Sequence, residues 1–309
     1  MTKYILKRLL YLIPSVIGVV FIVYTIMSLT PGDPGRLLLG INAEQSAVDM
    51  LNHQLGFDKP YLARFADYII RFAQGDLGIS YRTQSQFAKE LLARVPITLR
   101  LGVLAMAFSS VIGVTIGIVA AIRQYSLTDT LSTVIALLFA SVPTFFVGLM
   151  LIYLFALRLH VLPTNGINQV SGYIMPVITL TVASVAVIIR FSRTAMLDAV
   201  RQDYIRTARA KGCPEKRVIV RHALKNALIP IITLLGVNFG TVLGGSVIIE
   251  NVFNIPGIGT YILTAIRSKD MPIVMSSTIV LATYFCIIMI AVDILYAFID
   301  PRIRARYSR

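Results

Sequence analysis

Asp203–Pro230 reads DYIRTARAKGCPEKRVIVRHALKNALIP. This basic stretch lies between two long apolar runs. Its first part predicts a short helix stopped by Gly212 and Cys213-Pro214. Pro214 and Glu215 then suit the first turn of a second helix. A large ordered basic loop set between membrane-length apolar runs offers a surface to a soluble partner. The expected fold is therefore an all-α membrane domain carrying one partner-facing element.

Six runs free of charge surround it: Leu9–Gly32, Leu101–Ile122, Thr130–Leu157, Leu159–Ile189, Asn226–Ile249 and Met271–Val292. Each is long enough for a helix of roughly 20 residues to cross the hydrocarbon core. Backbone groups in lipid must be satisfied internally, and runs this continuous exclude a barrel. The fourth run contains Pro163, Asn165, Gly166 and Gly172, so its spanning part starts near Tyr173. Of the 309 residues 56% are hydrophobic and only 14% charged, where soluble domains carry about a quarter. The first run follows Lys3, Lys7 and Arg8 as a signal peptide would, but it is too long for an h-region and no A-x-A site follows. It is read as a retained helix. Trp is absent, which leaves Tyr4, Tyr24, Tyr153, Tyr173 and Tyr284 as interfacial anchors.

The net charge of +14 follows topology rather than a nucleic-acid surface. With the N-terminus in the cytoplasm, residues 1–8, the turn at Arg123, the loop Arg190–Lys225 and the tail with Arg302, Arg304, Arg306 and Arg309 are all cytoplasmic. The short external loops hold only Arg158, Arg267 and Lys269. This is the positive-inside pattern, from which the segment Pro31–Pro96 is exempt by its length. The expected location is a bacterial or archaeal cytoplasmic (inner) membrane, multi-pass, with both termini cytoplasmic.

The expected organisation is an N-terminal transmembrane helix over 1–30, an extracytoplasmic segment over 31–94, a core of five spans over 95–300 with its loop at 190–226, and a basic tail at 301–309. The extracytoplasmic segment opens with the turn Pro31-Gly32-Asp33-Pro34. Within it, Tyr61–Ala73 puts Leu62, Phe65, Ile69 and Phe72 on one helical face, with Arg64, Asp67 and Arg71 elsewhere. This amphipathic helix either caps the membrane domain or docks an external partner. Gly75-Asp76-Leu77-Gly78 ends it. After the third run the chain turns at Leu162-Pro163, and after the fifth at Asn254-Ile255-Pro256-Gly257-Ile258-Gly259.

No catalytic residues and no metal ligands are assigned. Cys213 and Cys286 are far apart, and His53, His160 and His222 are isolated, so neither a disulfide framework nor a metal spacing exists. No G-x-x-x-x-G-K-[ST] loop is present, so ATP and Mg²⁺ belong to other subunits if they are used. Intramembrane carboxylates, the usual mark of ion coupling, reduce to Asp293 and Glu250, both read as interfacial or locally paired. The fifth run instead shows Gly236, Gly240 and Gly244 with Asn238, Thr241, Gly245 and Ser246. Close packing through small residues and a hydrated path lined by Asn238, Thr241 and Ser246 both remain open. Gly113 and Gly117 read as packing.

The loop resembles the cytoplasmic signature of type I ABC importer permeases, E-A-A-x-x-x-G-x9-I-x-L-P. Aligned on Gly212, Ala208 matches the second alanine, while Thr207 replaces the first and Arg206 the glutamate. His222-Ala223-Leu224-Lys225 departs from I-x-L-P. The whole string from Asp203 to Gly212, with His222 to Pro230, resembles the dipeptide/oligopeptide/nickel permease variant. So do Pro31-Gly32-Asp33-Pro34, Gly75-Asp76-Leu77-Gly78, Arg190–Met196 (RFSRTAM), Glu250–Gly259 (ENVFNIPGIG) and Asp300-Pro301-Arg302-Ile303-Arg304. The long segment after the first run resembles the B-type, first permease of such systems.

The resemblance implies the type I ABC permease fold with six transmembrane helices. It implies a second, different permease, two ABC ATPase subunits that use ATP and Mg²⁺, and an extracytoplasmic solute-binding protein that delivers peptide. Asp203, Tyr204, Arg206, Thr207, Ala208, Arg209, Ala210, Lys211 and Gly212 would form the coupling helix seated in an ATPase. Ala208 and Ala210 would permit close approach, and Arg206, Arg209 and Lys211 would meet acidic groups there. The expected function is translocation of di- and oligopeptides by alternating access, with nickel chelate, glutathione or another small solute as alternatives. An ion-coupled carrier would require inverted repeats and midplane carboxylates, and neither is found. A non-transporting scaffold would not need the polar fifth run.

Overall fold

The computed structural model describes residues 2–29, 33–40, 42–167 and 169–299. Pro31, Gly32, the side chain of Asp293 and the tail 301–309, all given a reading above, lie outside the described residues. The chain forms two compact units. One comprises Thr2–Ile97 and Gly257–Ile287. The other comprises Thr98–Pro256 and the chain from Ile288 onward.

In the first unit, α1 (Thr2–Leu29) is the first span. Three helices follow: α2 (Pro34–Leu39), α3 (Gln45–Gln54) and α4 (Tyr61–Ala73). Asp33 caps α2 through the Arg36 N–H, and Asn52 of α3 donates to the same carboxylate at 2.7 Å. The expected amphipathic helix is α4, with the expected bounds. Its Tyr61, Phe65, Tyr68, Ile69 and Phe72 pack on Val16, Val20 and Tyr24 of α1 and on Met275 and Ile279 of the last helix. Its apolar face therefore caps the membrane helices of its own unit. Leu62 departs from expectation: it sits off that face and is exposed. The loop after Gly75 is held by Asp270, whose carboxylate accepts from Ser80 Oγ at 2.5 Å and from the Tyr81 and Arg82 amides.

The turn after the fifth run also holds more than expected. Ile255 N–H closes it onto the Glu250 carbonyl, and α12 (Ile258–Arg267) follows. The last span is α13 (Met271–Ile299).

The second unit holds most of the spanning helices. Helix α5 (Phe87–Ile122) enters it at Thr98. Then come α6 (Leu127–Ser141), α7 (Thr144–Leu151) with a wider π-helical turn over Ile152–Arg158, and α8 (Ser171–Val200). Helix α9 (Asp203–Ala210) precedes α10 (Glu215–Arg217), a second π-helical stretch at Val218–Leu224, and α11 (Lys225–Val252). The third run was expected to cross as one helix. It is broken: α6 and α7 meet at 94° across Val142-Pro143. Pro143 has no N–H, and its ring drives Val142 into an extended conformation, here φ −90°, ψ 126°. The fourth helix begins at Ser171, close to the expected Tyr173.

Helix α8 is the centre of this unit, with 61% of its most apolar stretch buried. Gly113 and Gly117 of α5 lie against it as packing glycines. A Cβ would come within 2.7 Å of Ile188 and 2.6 Å of the Ile189 carbonyl. Ile13, Ile22, Val111, Leu131 and Leu138 stay exposed, a quantity of outward apolar surface that suits lipid and not water.

Candidate functional site

Helix α9 starts at an extended Gln202 and ends in a complete Schellman motif. Gly212 N–H donates to the Arg209 carbonyl at 2.9 Å and Cys213 N–H to the Ala208 carbonyl at 3.2 Å. Gly212 takes φ +74°, open to glycine at little cost. Glu215 then opens the next helix, as the sequence suggests. Ile205 is the anchor. It is fully buried in a cluster with Ala121, Met196, Val218, Ala223, Ala227 and Ile231, which ties α9 to α5, α8 and α11.

The remaining residues of the loop divide by exposure. Asp203, Tyr204, Arg206, Thr207, Arg209, Ala210, Lys211 and Gly212 are exposed. Ala208 packs inward on the Ile205 cluster, so its small side chain serves the chain's own packing. Arg209 is engaged: its guanidinium donates to both Glu215 oxygens, at 2.6 and 3.1 Å. Arg206 stands 3.8 Å from Asp203 in full solvent, a pair worth little. Grooves of about 360 and 400 Å³ flank the helix, and Tyr204 lines both. Helix α9 is thus a rigid ridge between two grooves, with Arg206 and Lys211 as its freest cations.

The expected path residues do not converge. Asn238 is buried, with Nδ2 4.0 Å from Met106 Sδ, and Ser246 is fully buried, donating to the Leu243 carbonyl at 2.7 Å. Thr241 alone is exposed, on a stripe with Thr233, Val237, Gly244 and Ile248. The glycines divide likewise. Gly236 packs on Val292, which a Cβ would meet at 2.8 Å, whereas Gly244 meets nothing.

One polar cluster escaped the sequence reading, and a second is more buried than expected. Asp129, at the start of α6, takes Arg193 of α8 in a two-pronged pair at 2.5 and 2.8 Å and accepts from the Tyr125 amide. Ser126-x-x-Asp129 was a legible helix start, with the Ser126 hydroxyl accepting from the Asp129 amide. Glu250, read as interfacial or locally paired, is fully buried and accepts from the Thr98 hydroxyl at 2.6 Å.

Two family models cover the chain. Residues 113–305 match the binding-protein-dependent transport system inner membrane component, and residues 1–102 match the N-terminal component of such systems. The glutathione transport system permease protein GsiC of Escherichia coli K12 is 39% identical over 304 residues, spanning 98% of this chain and 99% of that protein. GsiC of Shigella boydii is 38% identical over the same length. Among solved structures, the inward-facing MetNI methionine ABC transporter superposes with TM-score 0.56 at 19% identity, over 69% of this chain and 98% of that one. An amino acid ABC transporter with histidines gives 0.51 at 17%, over 70% and 95%. At those identities the superpositions speak for the fold alone. The chain therefore belongs to the binding-protein-dependent transport system inner membrane components, as an ABC importer permease of the oligopeptide, dipeptide and nickel group.

Proposed function

We propose that this permease moves small peptides inward as one of two different permeases in an ATP-driven importer. The observation that carries the substrate class is the end-to-end likeness to permeases named for glutathione, itself a tripeptide. The exposed, uncharged stripe of α11 supports it, since a peptide path must pass many side chains and hold none tightly. Two ABC ATPases would hydrolyse ATP with Mg²⁺, and this chain would be no enzyme. Helix α9 would seat in one ATPase, presenting Tyr204, Arg206 and Lys211. A binding protein would deliver the peptide on the extracytoplasmic side, and both termini would be cytoplasmic. The test is uptake by the complete transporter in proteoliposomes, offered dipeptides, longer peptides, glutathione and a nickel chelate. Saturable, ATP-dependent peptide uptake is expected. Uptake of the nickel chelate with every peptide excluded would overturn the reading.

A further inference from the structure

The first unit contains a pocket of about 220 Å³ beside α4. Arg64 and Arg71, two turns apart on one face of α4, line it together with Tyr24, Tyr81, Phe57 and Met271. Of the nearby acids, Asp67 lines the same pocket and feels the Arg71 charge, but its closest partner is Lys59. Lys59 holds Asp67 at 2.5 Å, His53 stands 3.5 Å from Asp58, and Asp270 accepts from Ser80, Tyr81 and Arg82. That leaves Arg64 and Arg71 with no carboxylate within 4 Å among the described residues. The Arg64 guanidinium lies 5.4 Å from the Phe57 ring centroid. Its Nε is sheltered from solvent and finds no acceptor in the protein. A sheltered charged donor without an acceptor is costly, so the site is short of an anion. Burial, helped by the Asp270 charge, pushes the Tyr81 phenol up to about 12.

The size decides what kind of anion. The pocket holds far more than one water, yet lies below the roughly 300 Å³ at which pockets begin to engulf whole ligands. It suits a terminal group. Two guanidinium forks suit a planar oxyanion, and the walls of Tyr24, Phe57 and Met271 suit a short apolar body behind it.

We infer that this pocket is a carboxylate site that receives the free C-terminal carboxylate of the arriving peptide. The inference rests on the peptide reading and on the extracytoplasmic placement of this unit. The test uses the complete transporter in nanodiscs, with N-acetylalanine, its amide and inorganic phosphate as probes at constant ionic strength. Calorimetry is expected to show saturable binding of the acid, none of the amide, and at least about a tenfold loss for the acid in Arg64→Gln and in Arg71→Gln. Equal binding of acid and amide, binding of phosphate in place of the acid, or unchanged acid affinity in both variants would each refute it. If one variant fails to assemble, the other variant and the acid–amide comparison still decide. Acid binding in a transporter that imports no peptide would refute the peptide reading and keep the carboxylate site.

Discussion

Ile205 is the one fully buried residue of α9, and its methyl groups seat the helix on the membrane domain. Ile205→Ala is expected to cost about 2–4 kcal/mol of local packing and to uncouple peptide binding from ATP hydrolysis. Tyr204→Ala, on the exposed side, should leave thermal stability within about 0.5 kcal/mol of wild type while still weakening the ATPase response. Thermal unfolding and stimulated ATPase activity, measured on both variants, separate anchoring from contact. Gly212 makes a second residue-scale case. No atom lies near enough to clash with a Cβ there, so Gly212→Ala should cost only the left-handed backbone term, about 1–2 kcal/mol. Gly212→Pro is expected to do much more. Proline cannot take a positive φ, and it removes the N–H that closes the Schellman motif onto Arg209. Stimulated ATP hydrolysis should vanish with the spans intact; full transport by Gly212→Pro would reject a coupling role for the loop.

At the scale of elements, the helices with a periodic pattern or explicit stop signals were legible. Helix α4 announced itself by amphipathic spacing, and α9 by Gly212 and Pro214. The break between α6 and α7 was not. Hydropathy reports which residues suit lipid, not the direction in which a helix leaves Pro143. The three expected path residues divide for a related reason. Thr241 and Ser246 lie about 140° apart on a helix, so polarity alone could not place them on one face. Exposure of the folded chain places Thr241 on the outward stripe and Ser246 inside. Two of the four glycines of α11 give a prediction at this scale. Gly236→Ala should destabilise the isolated chain by about 1–3 kcal/mol, because the new Cβ meets Val292. Gly244→Ala should leave the isolated chain unchanged and lower the yield of the two-permease assembly, measured by co-purification. Equal behaviour of the two variants in both measurements would show that the stripe is not a partner-facing surface.

For the molecule as a whole, the placement of Lys and Arg gives a topology that labelling can check. Gln45 at the start of α3 and Gln202 before α9 are both exposed. In a background lacking Cys213 and Cys286, a cysteine at position 45 should react with an impermeant thiol reagent from outside, and one at 202 only after the membrane is opened. Labelling of both from outside would overturn the orientation. Membership in the importer family was legible from scattered strings along the full length. The pocket beside α4 was not, because His53, Arg64, Arg71 and Tyr81 carry no shared spacing until α3, α4 and the loop after them are folded together.

The Ile205 cluster also has a mechanical meaning. The side chains that seat α9 include Ala227 and Ile231 of α11, so a torque on one helix is a torque on the other. Helix α11 then runs unbroken through Pro230 to Val252. Gly244 lies seventeen residues beyond Ala227, about 25 Å along the axis. A tilt of about 5° at the base therefore sweeps Gly244 sideways by about 2 Å, so the helix is a lever whose short arm lies at α9.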